Sequence, residues 1–373
     1  MAGRIVLFGA TGYTGRLAAA ELVARGARPV LAARSQDKLD ELSRDLGGGF
    51  ETAVADVGRP ATVRALVESG DALLSTVGRF ARWGDPAAEA AIDAGAHYVD
   101  STGEPAWIRR VFDVHGPKAE RAGAALLPAA GYDYVPGNLA GALALRDAGD
   151  GATGVRVGYF MSGGSAGDLR GAMSGGTAAS LAGTLIEPSY AWRGGRIQSE
   201  RGARSVRTLP VGDKDRSAVT VGGSEHFTLP RSYPDLLDVE VCLGWFGPAS
   251  RVMQAGSLGT DLITRVPGAR GALDKAIGRF VKGSTGGPDA EARSRSGSHV
   301  VGIALGPDGE HLGEAHVTGI NGYTFTGAFL AWAAIEAAAG RIKGAGAVGP
   351  VDAFGLERLQ AGCSDCGLSP DPA

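Results

Sequence analysis

Two short stretches gather most of the groups able to move a proton: HYVDSTGE at 97–104 and GYDYVP at 131–136. Tyr98, Glu104, Tyr132, Asp133 and Tyr134 are the candidate proton donors. A carboxyl enclosed away from water keeps its proton near neutrality, because burial disfavours the charged form. Asp133 is therefore the first choice for a catalytic or substrate-orienting acid. The same residue could instead accept backbone amides in the turn before Pro136. Beside a hydride donor, such an acid suits reduction of a C=C or C=N bond, the cofactor carrying the hard step and the protein orienting it. Neither Tyr98 nor Tyr132 is followed four residues later by a Lys. The Tyr-x-x-x-Lys arrangement for alcohol oxidation is thus missing.

A hydride donor needs a cradle, and the first residues supply one. Arg4–Phe8 is a short apolar run suited to a buried parallel strand. Gly9, Ala10, Thr11, Gly12, Tyr13, Thr14 and Gly15 follow as GATGYTG, then RLAAAELVARG reads as a helix ended by Gly26. Strand, glycine turn and helix together form a dinucleotide fingerprint, with the pyrophosphate expected on the helix N-terminus. The next strand, RPVLAAR, ends in Ala33, Arg34 and Ser35, with Lys38 one turn on. A carboxylate there would serve a free ribose hydroxyl and repel a phosphate; a guanidinium pairs with a 2′-phosphate. The expected cofactor is therefore NADP(H). Asp56, after a third strand, could accept from the adenine amino group or cap the next helix. Ser75, Thr76, Val77 and Gly78 end a fourth strand, where small residues let the chain run along the cofactor.

The proton-bearing stretches now acquire positions. Pro86–Ala94 reads as a helix stopped by Gly95, and HYVD as a fifth strand. Ser101–Glu104 is then the loop at its carboxyl end, where Ser101 and Gly103 are expected to border the nicotinamide. Ser101 or Thr102 with Glu104 could equally start the next helix. ALLPAAG is a sixth strand leading into Gly131, Tyr132, Asp133 and Tyr134. Regular β-α alternation predicts a parallel sheet with helices on both faces.

The chain has 373 residues, 44% hydrophobic and 21% charged, with net charge −3. That profile fits a globular protein of two domains and gives no reason to expect a nucleic-acid partner. No apolar run is long enough to span a bilayer, and no signal peptide is evident, so a cytoplasmic location is expected. Three cysteines exclude a disulfide framework. Cys363 and Cys366 lack the second pair a zinc site needs, so no metal is expected. From about Gly151, β-branched runs alternate with turns, as in an antiparallel sheet. MSGGSAGDLRGAMSGGTAASLAGTL reads as a low-complexity linker or as a helix start with Ser174–Thr177 facing the active site. The segment from Ala249 to Lys282 has amphipathic helical spacing, and Tyr323–Ala339 is a final helix expected to return to the first domain. The expected domains are 1–148, 149–320 and 321–373. The fold class is an N-terminal Rossmann sheet with an inserted α+β domain, through which a homodimer is plausible.

GATGYTG, HYVDSTGE, GYDYVP, SGGT at 174–177, GGPDAEAR at 286–293 and GYTFTGAFLAWAAIEA at 322–337 together give a resemblance. The chain resembles the saccharopine dehydrogenase-like oxidoreductases, particularly the branch that holds the mycobacterial trans-acting enoyl reductases. The motifs run in order over nearly the whole chain. The resemblance implies an NADPH-dependent reductase of a C=C or C=N bond in a small metabolite or carrier-bound intermediate. The family more often has Phe-Asp-Ser where this chain has Tyr132, Asp133 and Tyr134, and Gly137 and Asn138 replace a more usual Ser and Asp. Those departures leave the substrate open. One alternative is an NADP(H)-binding redox sensor of the NmrA type, which shares the GATGxxG opening. Another is an imine enzyme close to saccharopine reductase, whose dicarboxylate would need converging arginines; Arg79, Arg82, Arg170 and Arg231 are available.

Overall fold

In the computed structural model the described residues are 3–162, 188–245, 247–264 and 286–371. SGGT at 174–177, Arg170 and the segment 265–285 lie outside them. The chain forms two compact units. The first comprises Met1–Thr102, Trp107–Asp133 and Gly322–Arg358, and the second Gly103–Ala106, Tyr134–Asn321 and Leu359–Ala373.

The first unit is built on a seven-stranded parallel sheet in the order β15-β6-β5-β4-β1-β2-β3. Its strands are β1 (Ile5–Phe8), β2 (Val30–Ala33), β3 (Thr52–Val54), β4 (Ala72–Ser75), β5 (His97–Asp100), β6 (Ala125–Leu127) and β15 (Gly346–Ala347). All four residues of β1, β2 and β4 are buried, as unbroken apolar runs require when helices cover both faces. The helices are α1 (Tyr13–Ala24), α2 (Gln36–Asp45), α3 (Pro60–Arg64), α4 (Phe80–Trp83), α5 (Asp85–Ala94), α6 (Pro105–Arg110) and α7 (Gly116–Ala122), with a π turn at Val111–His115. Gly95 ends α5 at φ 67°, the left-handed conformation that glycine adopts most cheaply.

The main segment of the second unit opens with α8 (Val135–Ala148), which the sequence reading had placed in the first domain. Its strands are β7 (Gly154–Ser162), β8 (Pro188–Arg193), β9 (Arg196–Arg201), β10 (Val206–Val211), β11 (Lys214–Val221), β12 (Asp238–Leu243), β13 (Gly297–Leu305), β14 (His311–Ile320) and β16 (Leu368–Pro370). The main path runs β10-β11-β12-β7-β13-β14-β16, antiparallel except for β12 against β7. Phe160, Leu209, Ala218, Cys242, Val301 and Ile303 form an apolar cluster on it. The remaining helices of this unit are α9 (Glu225–Ser232), α10 (Ser250–Thr264) and α11 (Ala290–Ser294).

The chain then re-enters the first unit as α12 (Gly322–Ala338), followed by α13 (Pro350–Phe354) and α14 (Leu356–Asp365). Helix α12 is buried along most of its length and packs on α1. A side chain at Gly327 would put its Cβ 2.8 Å from the Cβ of Leu17. The expected return helix is therefore present. The last residues instead join the second unit, where β16 extends its sheet.

Candidate functional site: a dinucleotide cradle and the loops beside it

The turn after β1 leaves no room for side chains at two of its three glycines. Gly9 sits at φ 90°, and a Cβ on it would lie 2.7 Å from Thr76 Oγ1. A Cβ on Gly15 would lie 2.2 Å from the carbonyl oxygen of Gly9. Gly12 differs. Its φ of −76° suits any residue, and a Cβ there would meet only Gly9 O, at 3.3 Å. Nothing in the fold itself requires glycine at 12, whereas a ligand lying over that backbone would. Gly12 is also the N-cap of α1, with no capping side chain and no acidic residue in the first turn. The positive dipole end of this helix suits an anion. Among the described residues this is where a pyrophosphate fits.

Around the cradle the predicted cofactor residues divide. The Thr76 amide donates to Phe8 O, and its hydroxyl donates to Gly9 O at 3.1 Å, locking the fourth strand's end to the glycine turn. Ser75 is buried in β4; Thr76 and Val77 are half-buried and Gly78 is exposed. Arg34 is exposed at the end of β2 and makes no ion pair among the described residues. Ser35 is the N-cap of α2, accepting from the amide of Lys38. Asp56 does not cap α3, whose N-cap is Arg59; its Oδ1 accepts from the amide of Gly58 at 2.9 Å.

Three motif loops of the first unit meet near the same helix start. The ring of Tyr13 stands edge-on to that of Tyr323, with centroids 5.4 Å apart. Thr326 Oγ1 accepts from the amide of Tyr132 at 3.0 Å, and a Cβ on Gly131 would lie 2.9 Å from Thr326 Cγ2. A Cβ on Gly322 would strike the ring of Tyr132 at 2.9 Å. The glycines of GYDYVP and GYTFTG thus serve a close approach of backbone to side chain.

Asp133 ends the second segment of this unit. Its Oδ1 is shielded from solvent and accepts no hydrogen bond from the described residues. Burial pushes its carboxyl up to about 7. The alternative role, accepting amides in the turn, is not what these residues show for Oδ1. Tyr98 is otherwise placed than its candidacy requires. It is wholly buried in the sheet, and its hydroxyl donates to Asp100 Oδ2 at 2.9 Å. Burial, then the Asp100 charge, raises its pKa well above that of a free phenol.

Asp100 itself was passed over by the sequence reading. It is fully buried and accepts from Tyr98, from Trp107 Nε1 at 2.7 Å, and from the amides of Thr102 and Ala129, both at 2.9 Å. Burial lifts its carboxyl to about 6 against the pull of those four bonds. Alternation along β5 puts residues 98 and 100 on one face, so a Tyr–Asp pair was readable. Nothing in the spacing announced Trp107 or Ala129. Ser101 is half-buried beside this anchor, and the amide of Thr102 donates to Asp100 Oδ1.

Gly103, Glu104 and Tyr134 belong to the second unit. There the Tyr134 hydroxyl donates to Gly103 O at 3.5 Å, and its ring packs edge-on to Tyr159 at 5.7 Å. Tyr159 donates to Oε1 of the buried Glu225 at 2.6 Å. A Cβ on Gly137 would overlap both partners, at 2.0 and 2.5 Å, which accounts for glycine there. Asn138 donates to Tyr134 O at 2.8 Å and to Ser224 Oγ at 3.0 Å. Glu104 is buried.

The glycine turn and the helix start that follows it lie within a segment that matches a known domain. Residues 5–127 match the saccharopine dehydrogenase NADP binding domain. The first unit is an NADP-binding domain. The whole chain is similar in fold to apo saccharopine dehydrogenase (L-Glu forming) of Saccharomyces cerevisiae, with a TM-score of 0.60 over 99% of each chain at 13% identity. Over 140 residues it is 37% identical to a trans-acting enoyl reductase of Mycobacterium leprae and 36% identical to one of Mycobacterium tuberculosis. Each match covers 36% of this chain and 34% of the relative, so the chain matches about a third of their length. Among the described residues no cluster could hold a metal, and no helix is long and apolar enough to cross a membrane.

Proposed function

We propose that this chain is an NADPH-dependent reductase that saturates an activated C=C bond in a small or carrier-bound substrate. The observation that carries the reading is Asp133, a carboxyl raised to about 7 and unpartnered at Oδ1 among the described residues, on the loop that hydrogen-bonds to the start of α12. Bound NADPH supplies hydride. The glycine turn and the N-terminus of α1 hold the pyrophosphate, and Arg34 holds the 2′-phosphate. Asp133, protonated near neutrality, delivers the proton that completes saturation at the carbon next to the activating carbonyl, leaving a carboxylate that regains a proton from solvent. Sequence similarity to proteins named enoyl reductases supports C=C over C=N.

The test is deuteride transfer from each C4-deuterated stereoisomer of NADPH to crotonyl-pantetheine and, in parallel, to a cyclic imine. Deuterium at the β-carbon of the thioester is expected, with transfer from one stereoisomer only. Label in the imine alone would move the reading to imine reduction. Tight NADPH binding with label in neither would refute reduction of both classes and leave the redox-sensor reading.

A further inference from the structure

The strand order reverses its winding at β1 and β4, which places the adenine half of a dinucleotide over β1, β2 and β3 and the nicotinamide half over β4, β5 and β6. On that second side a single residue ties two loops together. Oδ1 of Asp100 accepts from the amide of Thr102 in the loop after β5 and from the amide of Ala129 in the loop after β6. The main-chain oxygen of Asp100 accepts from the next amide, Ala130, at 2.7 Å. Two successive amides are thus captured by one residue of the neighbouring strand. Between them Ala129 is held at φ 57°, a left-handed conformation an alanine does not adopt without such constraint. The other carboxylate oxygen is taken by Tyr98 and Trp107, so the anchor cannot rotate away. The loop it fixes continues directly into Gly131, Tyr132 and Asp133.

We propose that Asp100 is a positioning residue for the nicotinamide half of the cofactor, holding the loops after β5 and β6 in mutual register. It touches no cofactor; it acts through Ser101, Thr102 and residues 129–133. This rests on NADP binding by the first unit and not on the identity of the substrate. A residue that merely supported the fold would affect both halves of the cofactor alike. A positioning residue affects only one.

The discriminating ligands are NADPH and 2′,5′-ADP, which keeps the adenine half and lacks the nicotinamide. For Asp100→Ala the Kd for NADPH is expected to rise at least about tenfold, roughly the affinity equivalent of one buried hydrogen bond, while that for 2′,5′-ADP stays within about twofold. Trp107→Phe removes one donor and spares both loop amides, so it should leave the ratio of the two constants unchanged. Asp100→Asn in the Trp107→Phe background keeps an acceptor for those amides without opposing two donors, and should restore the ratio. Equal weakening of both ligands, or weakening of neither, overturns the proposal. If Asp100→Ala does not fold, hydrogen exchange on the wild-type protein decides instead. NADPH but not 2′,5′-ADP should slow exchange in 101–104 and 129–133 together; no difference between the ligands overturns it. Wild-type protein that binds 2′,5′-ADP and not NADPH also overturns it, whereas binding of neither ligand would overturn the cofactor assignment beneath it.

Discussion

Gly12 and Gly15 make a paired test of the cradle, because the structure assigns them different reasons for being glycine. At Gly15 the obstacle is the chain itself. A Cβ would sit 2.2 Å from Gly9 O and 2.9 Å from both Cα and the carbonyl carbon of Ala10, all backbone atoms. Relief requires α1 to move by about 1 Å against a close-packed interior, a change that costs ~3 kcal/mol at the upper end of overpacking. Gly15→Ala should lower the unfolding midpoint and weaken NADPH binding together. At Gly12 the backbone is already in a conformation alanine adopts, and the sole neighbour is one oxygen at 3.3 Å. Gly12→Ala should leave stability within ~1 kcal/mol, because the smaller freedom of the unfolded chain offsets the loss of a glycine N-cap. Its methyl group would occupy the space a pyrophosphate needs, and NADPH affinity should fall about a hundredfold, ~2.8 kcal/mol. The assays are urea unfolding and quenching of intrinsic fluorescence by NADPH. Unchanged NADPH affinity in a folded Gly12→Ala protein would refute the placement of the pyrophosphate.

Three further outcomes are expected. Arg34→Ala should weaken NADPH about tenfold to a hundredfold, the range of one charge-assisted contact, and leave NADH within about threefold; equal losses in the two titrations would remove the 2′-phosphate role. Asp133 titrates at about 7 when folded, against 3.8 as the ordinary value, so between those pH values the folded chain holds a proton the unfolded chain has released. Stability conferred by that proton is complete at acid pH and is lost as pH rises to about 7. Asp133→Asn should therefore gain stability relative to wild type between pH 5 and pH 8, on the order of 2 kcal/mol by urea unfolding; parallel curves would show that the carboxyl is not buried. Glu336 is 3% exposed and held by Arg341 at 2.6 Å and by Arg358. Because both arginines are half-exposed, Glu336→Ala should cost ~2 kcal/mol, less than a fully buried pair; a loss under ~0.5 kcal/mol would make the cluster a surface feature.

What could be read from the sequence was what local chemistry dictates. The apolar run 5–8, the glycine turn and the following helix each announce themselves within a few residues, so the first sheet and its cofactor end were legible. The same holds for Gly95 as a helix stop and for the mostly antiparallel character of the second sheet. The partners that side chains find at a distance were not legible. Tyr98 looked like a donor because it lies in HYVDSTGE, but it points into the buried sheet, and its hydroxyl is spent on Asp100. Thr326 could not be linked to Tyr132 across 194 residues, because nothing local records a contact of that span. Unit membership was misread at α8 for the same reason: Val135–Ala148 continues the β-α rhythm of the first domain, but its packing partners are β7, β13 and β14.

The return of α12 has a consequence for biosynthesis. Residues that cover α1 lie 300 positions downstream of it, beyond the whole second unit, and include Phe325, Phe329 and Leu330, all wholly buried. At roughly 5–20 residues per second, the ribosome needs about 10–40 s to pass from the end of α8 to the end of α12. During that interval the NADP-binding sheet exists with one helical cover missing, and its apolar face is open to chaperones or to a neighbouring nascent chain. A fragment that stops near residue 148 would retain every cofactor motif and still lack the helix that seals them. Isolating the NADP-binding half therefore calls for α12 to be reattached by a designed linker rather than for a simple truncation.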